Sequence, residues 1–200
     1  MSKDSKGALL INGLRYITNF IDKELEEKLI TYFDDIKEWN TSLSRRTLHF
    51  GYTYDYKSRS TAEVTTPIPD IVKDVISKMM KAKILMFEPD QVIVNEYLPG
   101  QGINHHVDSI TAFEDGIVSL SLGSDIVMEF TNRIDHDETY EIMLNRRSLI
   151  IMHKDARYKY THGIPARKKD NKVARKRRIS LTFRKTRIED KNKRMRLIKT

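Results

Sequence analysis

The sequence predicts an α+β domain in which two helices precede a set of short strands. Apolar residues repeat at helical spacing in two stretches before residue 85, whereas from Gln91 onwards short apolar or alternating runs are separated by turn residues. Short strands that follow helices in this way are typical of a β sandwich or a jelly roll packed against helices. A length of 200 residues suits one such domain with a single sizeable core.

The first helix is predicted to begin after Asp22, a residue type that caps helix N-termini, and two glutamates suit its first turn. The second is predicted to begin at PIPD (67–70), where apolar residues then recur at the spacing of one buried helix face. The apolar positions are Leu25, Leu29, Phe33 and Ile36 in the first helix, and Ile71, Val72, Val75, Ile76, Met79 and Met80 in the second. Both helices are therefore expected to pack against the β part. Trp39, after the first helix, is expected in the core.

Seven later runs predict the strands of the β part. They read QVIVNEYL, GIVSLSL, DIVMEF, YEIML, SLIIM, YKYTHGI and RRISLTFR, and SLGSD and LNRRS supply turns of hairpin length. The segment KKDNKVARKRR (168–178) is predicted to be a basic loop. Residues 1–8 are predicted to be a flexible lead-in, and residues 189–200 a basic tail.

Composition narrows the classes of function. The chain has no cysteine, which excludes disulfides and thiolate metal sites, so any metal must be bound by His, Asp and Glu. No apolar run approaches the roughly 18 residues of a membrane helix. The first residues lack the apolar core of a secretory signal. We therefore expect an intracellular protein, cytoplasmic or nuclear, with no membrane partner, and favour a monomer.

Positive charge is concentrated in the last quarter of the chain. The net charge is +8 overall, but residues 154–200 carry a net charge of +15 and residues 1–153 carry −7. A block this basic suits a polyanion such as nucleic acid. A solvated tail that aids solubility is an equally good explanation of the charge alone.

The stretch NHHVDS (104–109) places two histidines and an aspartate directly after a Pro-Gly-Gln-Gly turn. In a strand, residues i and i+2 lie on one face, so His106 and Asp108 are predicted to point the same way. A third ligand from a neighbouring strand would complete a His-His-carboxylate set, which favours Fe(II). A solvated strand edge is the alternative, since His153-Lys154-Asp155 is a second match to this short pattern.

Spacing favours His162 as the third ligand. Four strand-like runs separate Asp108 from His162, enough to bring His162 in on a different strand, whereas Asp155 leaves room for only one turn. His153 is predicted to close a strand, and His136 to lie in a polar hairpin loop, NRIDHDETY. The predicted metal ligands are therefore His106, Asp108 and His162.

The last strand has two unlike faces. Ile179, Leu181 and Phe183 form an apolar face, while Arg178, Ser180, Thr182 and Arg184 lie on the other. At about 3.3 Å per residue the Cα atoms of the two arginines are roughly 20 Å apart. Arginine binds carboxylates in a bidentate way, so two inward-leaning arginines are suited to a small dicarboxylate. The alternative is an exposed polar face bound by solvent.

These residues carry a resemblance to a known family. The motifs NEYLPGQGINHHVDS, THGIPAR and RRISLTFRKTR together resemble the AlkB-like Fe(II)/2-oxoglutarate dioxygenases, and the likeness runs from about Leu9 to Arg187. The resemblance implies a dioxygenase domain over residues 9–188, folded as a double-stranded β-helix (jelly roll) with flanking N-terminal helices. It also implies Fe(II), 2-oxoglutarate and O2 as the cofactor and cosubstrates.

The resemblance assigns roles to individual residues. It implies that His106, Asp108 and His162 bind the iron, and that Asn95 and Tyr97 contact 2-oxoglutarate. It implies that Arg178 pairs with the far carboxylate of 2-oxoglutarate and that Arg184 lies near the metal-proximal end.

A further stretch predicts contact with a nucleic acid. SRRTLHFGYTYDYKSRST (44–61) interleaves cations, suited to phosphates, with rings, suited to stacked bases. The predicted contacts are Arg45, Arg46, Tyr52, Tyr54, Tyr56, Lys57 and Arg59. Alternating tyrosines share a strand face, so an edge of the core is the competing interpretation.

Within the family, HFGYTYDYKSR, AFEDGIVSLSLGSDIVMEF and RRSLIIM are similar to the homologues that oxidise the wobble uridine of tRNA. The resemblance therefore implies an RNA-modifying oxygenase whose partner is nucleic acid, most simply tRNA. The alternatives are repair-type demethylation of N-alkylated DNA or RNA bases, protein hydroxylation, and a nucleic-acid-binding module with an inert metal site. The triad by itself does not distinguish these outcomes.

Overall fold

The computed structural model describes residues 10–55 and 60–187. It contains three helices within these ranges: α1 (Lys23–Asp35), α2 (Asp70–Lys81) and the short α3 (Lys154–Tyr158). None of the helices described is long and apolar enough to cross a membrane.

Both predicted helices are present and begin where the sequence indicates. The Asp22 side chain caps α1 by accepting a hydrogen bond of 2.8 Å from the Leu25 backbone N–H. Leu29 and Phe33 of α1 are completely buried, as are Val72, Val75 and Met79 of α2. Because these side chains share one core cluster with the larger sheet, the two helices cover one face of that sheet.

The strands form two main sheets in which every pairing is antiparallel. The larger sheet has the order β1 (Leu14–Ile17), β10 (Leu149–Met152), β7 (Ile117–Leu122), β14 (Arg178–Arg184), β5 (Gln91–Tyr97) and β2 (Arg46–Phe50). The smaller sheet has the order β6 (Ile103–His106), β11 (Tyr160–Ile164), β8 (Ile126–Asn132) and β9 (Thr139–Leu144). Two hairpins stand apart, β3 (Tyr52–Asp55) with β4 (Ser60–Val64), and β12 (Lys169–Asp170) with β13 (Val173–Ala174).

Strand alternation gives the larger sheet two differently used faces. In β14, Ile179, Leu181 and Phe183 pack against the helices. The alternate residues of the same strand point into the space between the two sheets; they are Arg178, Ser180, Thr182 and Arg184. A second apolar cluster, with Ile117, Met128 and Phe130, closes the space between the sheets at its far side. This two-sheet arrangement is the jelly roll with flanking N-terminal helices that the resemblance implied.

All seven runs predicted as strands contain one. The predicted basic loop at 168–178 is wrong in one respect, because residues 169–174 form the β12–β13 hairpin. The hairpin forms because Asp170, a buried carboxylate, accepts hydrogen bonds from Arg167 and Arg175 and so fixes the segment. Trp39 is buried as expected, under the Arg46 guanidinium at 4.4 Å from the ring centroid. The predicted lead-in (1–8) and tail (189–200) lie outside the described residues.

Candidate active site

Two strands of the smaller sheet bring three potential metal ligands together. His106 ends β6, and it pairs in register with His162 of the neighbouring β11. Asp108 follows two residues after β6 ends, and its carboxylate Oδ2 lies 3.6 Å from His162 Nε2. One ligand atom from each of the three residues lies within 4.8 Å of the others. Residues far apart in the chain therefore converge on one point.

The strand argument for His106 and Asp108 needs a correction. β6 ends at His106, so Asp108 lies beyond the strand and is not placed by the alternation of a pleated sheet. Two arginines place it instead: Arg184 Nη2 donates to Asp108 Oδ1, and Arg157 Nη1 donates to the Asp108 carbonyl oxygen at 2.7 Å. The two residues face the same point for a different reason from the predicted one.

The protonation states of the triad suit metal binding. Burial raises the pKa of Asp108, but the charge of Arg184, followed by those of His162 and His106 when their rings are protonated at low pH, outweighs burial, so this pKa lies well below its ordinary value. Burial and the neighbouring His106 lower the pKa of His162 to about 3. His106 Nδ1 lies 2.9 Å from the Asn104 carbonyl oxygen, which can only accept, so Nδ1 carries a proton and Nε2 is the ring nitrogen available as a ligand.

The donor set fits ferrous iron. Two neutral imidazoles and one ionised carboxylate form the facial triad that binds non-haem Fe(II) and leaves coordination positions open for other ligands. Asp108 and His162 are nine-tenths or more buried, and the His106 and His162 rings lie only 4.4 Å apart. These three side chains are suited to hold Fe(II).

The triad opens into a cavity of about 670 Å³ between the two sheets. Polar and apolar residues from both sheets line it. They include Asn95, Tyr97, Ser119, Met128, Met152, Ile164, Arg178, Ser180, Thr182 and Arg184. The volume is that of an ordinary small-molecule pocket.

Arg178 is a buried cation with unused donors that lines this cavity. It is 1% exposed, and Nη2 donates to Ser121 Oγ at 2.9 Å. Its Nε and Nη1 have no hydrogen-bond partner among the described residues. Burial lowers the pKa of Arg178 to about 10, so it remains charged at neutral pH. A buried charge with unsatisfied N–H groups is costly unless an anion binds there, so the position fits one carboxylate of 2-oxoglutarate.

Asn95 and Tyr97 lie beside Arg178, on the adjacent strand β5. Asn95 Oδ1 accepts a hydrogen bond of 2.9 Å from Arg45 Nε. The Tyr97 ring has the guanidinium of Arg178 at 5.3 Å from its centroid and that of Arg45 at 5.9 Å. Both side chains line the cavity, so the structure brings them to the same ligand space as Arg178.

Arg184 lies at the other end of the strand and is differently engaged. Besides its ion pair with Asp108, its Nη1 lies 3.4 Å from Gln91 Oε1 and its guanidinium 4.9 Å from the Phe113 ring centroid. It therefore contacts the metal-ligand side of the site, while Arg178 presents free donors at the opposite end. The two arginines do not form a symmetric pair for one dicarboxylate.

The residues predicted to contact nucleic acid are separated by the structure. Arg45 lines the cavity, whereas Arg46 makes a bidentate ion pair with Glu96 and covers Trp39. Tyr52 begins β3 and is half-buried. The backbone of Tyr54 belongs to β3, but its side chain, together with Tyr56, Lys57 and Arg59, lies outside the described residues.

Sequence reasoning missed two features of the site. Ser119 and Ser121 of β7 face the interior beside β14, and the alternation in IVSLSL carried a signal for them. Arg157 had no such signal, because an arginine in a short helix before β11 looks like any solvent-exposed cation. Its burial, at 2% exposed, is visible only in the fold.

The chain belongs to the 2OG-Fe(II) oxygenase superfamily, because the sequence model of this family matches residues 13–184. This match, together with the triad and the cavity, defines a 2OG-Fe(II) oxygenase domain, of an oxidoreductase family that uses Fe(II), 2-oxoglutarate and O2. Solved structures show the same fold. OsALKBH1 has a TM-score of 0.71 with 18% identity, over 86% of this chain and 96% of that one. A Pseudomonas putida prolyl-4-hydroxylase has a TM-score of 0.58 with 12% identity, over 91% and 97%.

Curated relatives place the chain in the AlkB-like part of the superfamily. It is 40% identical over 79% of its length to mouse tRNA (carboxymethyluridine(34)-5-O)-methyltransferase ALKBH8, of which it covers 25%. It is 36% identical over 90% of its length to an uncharacterized protein, L905, of Acanthamoeba polyphaga mimivirus, of which it covers 87%. The chain therefore spans about a quarter of the animal relative and most of the viral one.

Proposed function

We propose that this protein is a dioxygenase that oxidises a modified or alkylated base in nucleic acid, and that its substrate is the wobble uridine of tRNA. The observation that carries the proposal is that a candidate metal site and a candidate 2-oxoglutarate site line the same cavity. A His-Asp-His triad, of which Asp108 and His162 are buried, lies at one part of it, and Arg178, with two unused donors, lies at another.

Each group at the site has a role in this proposal. His106, Asp108 and His162 hold Fe(II), and Arg178, with Asn95 and Tyr97 beside it, holds 2-oxoglutarate. When bound, iron and 2-oxoglutarate would activate O2, the oxidant: one of its oxygen atoms would enter succinate as 2-oxoglutarate loses CO2, and the other would enter a substrate C–H bond. The protein fixes the orientation of these groups, and Arg184 keeps Asp108 ionised and in position.

Nucleic acid as the substrate is supported by the relatives and by charge. The mouse relative is named for carboxymethyluridine at position 34 of tRNA, and the likeness covers 79% of this chain. The net charge of +15 in residues 154–200 supplies attraction to a polyanion. Since the likeness covers only 25% of the animal relative, the rest of that protein contributes nothing to this argument. A tRNA substrate would place the protein inside the cell, in the cytoplasm or nucleus.

Demethylation of N-alkylated bases is the second candidate. A Caenorhabditis elegans DNA N6-methyl adenine demethylase is 27% identical over 92% of this chain, and an Arabidopsis thaliana alkylated DNA repair protein, an ALKBH8 homolog, is 30% identical over 90%. The first oxidative step is the same in both candidates. If the hydroxylated carbon is attached to nitrogen, the product breaks down and the methyl group is lost, whereas a carbon-attached hydroxyl remains.

Mass spectrometry of nucleosides tests the proposal. The protein is incubated with Fe(II), 2-oxoglutarate, O2 and total tRNA, and the nucleosides are compared before and after together with succinate formed. We expect a uridine derivative to gain one oxygen atom, in proportion to succinate. Methylated DNA and RNA oligonucleotides run in parallel, and loss of methyl groups there with unchanged tRNA would favour the second candidate.

The matched variants are His106→Ala and His136→Ala. His106 belongs to the triad, while His136 is exposed in the loop between β8 and β9, so both remove one imidazole. Product should disappear in the first variant and persist in the second. Wild-type protein that turns over 2-oxoglutarate but changes no nucleoside in tRNA, RNA or DNA would refute a nucleic-acid substrate.

A further inference from the structure

We propose that the β12–β13 hairpin is a phosphate-binding surface that holds the nucleic acid strand whose base enters the cavity. The surface consists of four lysines, here called the hairpin lysines: Lys168, Lys169, Lys172 and Lys176. This inference rests on the proposed function, since it names how that substrate is gripped.

The basic run that contains the hairpin divides by residue type. Three of its arginines pair with carboxylates: Arg167 with Asp170 and Glu141, Arg175 with Asp170, and Arg177 with Glu96 and Asp34, while Arg178 lines the cavity. The hairpin lysines are all exposed. In the described part of the chain, no ion pair joins any of them to a carboxylate. The charges of Arg167, Arg175 and Arg177 are thus paired within the fold, whereas the charges of the hairpin lysines are left for a partner.

The hairpin is rigidly attached although it is short. Asp170 is 4% exposed and accepts hydrogen bonds from Arg167 Nε at 2.7 Å, from Arg175 Nη2 at 2.8 Å and from the Val127 backbone N–H at 3.1 Å. Arg175 Nη1 also donates to the Pro165 carbonyl oxygen at 2.7 Å. Burial raises the pKa of Asp170, but the hydrogen bonds from the two arginines outweigh it, so the carboxylate is ionised. Lysines on a fixed hairpin lose less freedom on binding than those of a loose tail.

The turn of the hairpin displays its cations outward. Asn171 and Lys172 have positive φ angles of 47° and 68°, as in the two-residue turns that match the twist of a β-hairpin. Val173, next to the turn, is 71% exposed. An exposed apolar side chain between lysines is suited to contact with a sugar or base face beside the phosphates.

The hairpin lies close to the cavity. Ile164 of β11 lines the cavity, and Lys168 follows four residues later, no more than about 13 Å away at 3.3 Å per residue. The Lys168 side chain also lies 3.7 Å from the position that a Cβ would take at Gly100, in the turn that leads to Ile103 and Asn104 of the cavity wall. A nucleotide with its base in the cavity therefore has neighbouring phosphates within reach of the hairpin.

Lysine suits this task because an ammonium group is a point charge on a flexible stem, without the planar fork that reads a base edge. We therefore expect the hairpin to contribute affinity that depends on salt and is independent of sequence. Selection of the base is left to the cavity.

The test replaces all four hairpin lysines with glutamine and measures tRNA binding by fluorescence anisotropy over a range of salt concentrations. The matched control is Lys23→Gln, Lys28→Gln, Lys73→Gln and Lys81→Gln, which removes the same charge from α1 and α2. Each lost phosphate contact lowers the slope of log K against log salt by about 0.7 to 0.9, so the loss of four contacts should lower the slope by roughly three units and the affinity by more than about tenfold. The control should retain the wild-type slope, and both variants should retain 2-oxoglutarate turnover without RNA.

Two results separate the failure of this inference from that of the proposed function. If wild-type protein oxidises a tRNA base while the hairpin variant binds and reacts like the control, the hairpin is not the phosphate surface and the function stands. If the hairpin variant loses the salt-dependent binding while no base in any nucleic acid is oxidised, the surface stands and the proposed function falls.

Discussion

Arg157 donates a hydrogen bond of 2.7 Å to the main-chain carbonyl oxygen of Asp108, and a second of 2.9 Å to that of Ser109. Asp108 lies beyond the end of β6, so no ladder hydrogen bonds fix its backbone. Arg157 lies in α3, five residues before His162. This one side chain thus ties the segment that carries one candidate ligand to the segment that carries another.

We predict that Arg157→Ala weakens metal binding by about 10- to 100-fold, the usual loss when a group that orients a metal ligand is removed. The two carbonyl oxygens lose charged donors, so the Asp108 segment becomes free to move. The measurement is a Mn(II) or Co(II) titration of the metal-free protein, with circular dichroism to check the fold. Arg157→Lys should recover only part of the affinity, because an ammonium group does not reproduce the fork that spans two carbonyls.

A folded Arg157→Ala variant with wild-type metal affinity would show that Arg157 supports only the fold. In that case the loss should appear as a lower melting temperature alone, and Arg157→Lys should restore the melting temperature without altering metal binding.

Arg178→Gln should raise the KM for 2-oxoglutarate at least about 30-fold while metal binding is unchanged. Removing one partner of a desolvated charge pair costs about 2 to 5 kcal/mol, and Arg178 is 1% exposed with two donors unused. Steady-state succinate formation over a range of 2-oxoglutarate concentrations gives the KM, and a Mn(II) titration gives the metal affinity.

The comparison for this prediction is Arg184→Gln, on the same face of β14. Arg184 contacts the carboxylate of Asp108, so its loss should impair metal binding first. Equal effects of the two substitutions on metal and on 2-oxoglutarate would contradict the separate roles assigned to the two ends of the strand.

Much of the fold could be predicted because its signals are local. The Asp22 cap, the apolar stripes of α1 and α2, and the alternation in β14 each depend on neighbours within a few residues. The convergence of His106 and His162 was also predictable, since the number of strand-like runs after Asp108 favoured His162 over His153 as the third ligand. Local pattern was sufficient wherever side-chain direction follows from the chain itself.

The parts that could not be predicted depend on contacts between distant segments. Arg45 and Arg46 are adjacent and chemically alike, yet Arg46 begins β2 opposite Glu96 and pairs with it, whereas Arg45 precedes the strand, donates to Asn95 and lines the cavity. Likewise Asp170 turns a run that looks like a solvated basic loop into a fixed hairpin only by meeting Arg175 and Val127 in three dimensions.

His49 should make the metal-free protein less stable as pH falls from 6.5 to 4. Burial, followed by the charges of Arg184 and Arg45, lowers the pKa of His49 to about 4, against 6.5 in the unfolded chain. Between these values the unfolded state binds the proton more readily, so the free energy of unfolding decreases as pH decreases, by up to about 3 kcal/mol. Above pH 6.5 this residue contributes no slope.

Urea unfolding of wild type and His49→Gln at several pH values measures this effect. The pKa of His162 is lowered as well, so the informative quantity is the difference between the two proteins. The free energy of unfolding of wild type minus that of His49→Gln should decrease as pH falls from 6.5 to 4. The control His136→Gln, which alters an exposed histidine, should show the same pH dependence as wild type. Parallel curves for wild type and His49→Gln would contradict the prediction.

Gly163→Ala should disturb the metal site through the backbone. The register between β11 and β6 shifts between His162 and Ile164, and a Cβ on Gly163 would lie 2.8 Å from His105 Cδ2 and 3.0 Å from the His105 backbone nitrogen. Since His105 precedes His106, relieving this clash moves β6 away from β11 and separates the two histidines of the triad. We expect a loss of about 1 to 3 kcal/mol in stability, as for other overpacked sites, together with weaker Mn(II) binding.

A double variant distinguishes a ring clash from a backbone clash in this prediction. Gly163→Ala combined with His105→Ala removes the imidazole but leaves the contact with the His105 backbone nitrogen, and His105→Ala alone is the control. Metal affinity should remain below that of the control, because β6 itself must still move. Full recovery would mean that the imidazole of His105, which also contacts Glu129 and Thr161, simply rotates away and that the strand spacing does not depend on the glycine. Since the triad draws His106 and His162 from these two adjacent strands, the size of the remaining deficit measures how far metal affinity depends on their separation.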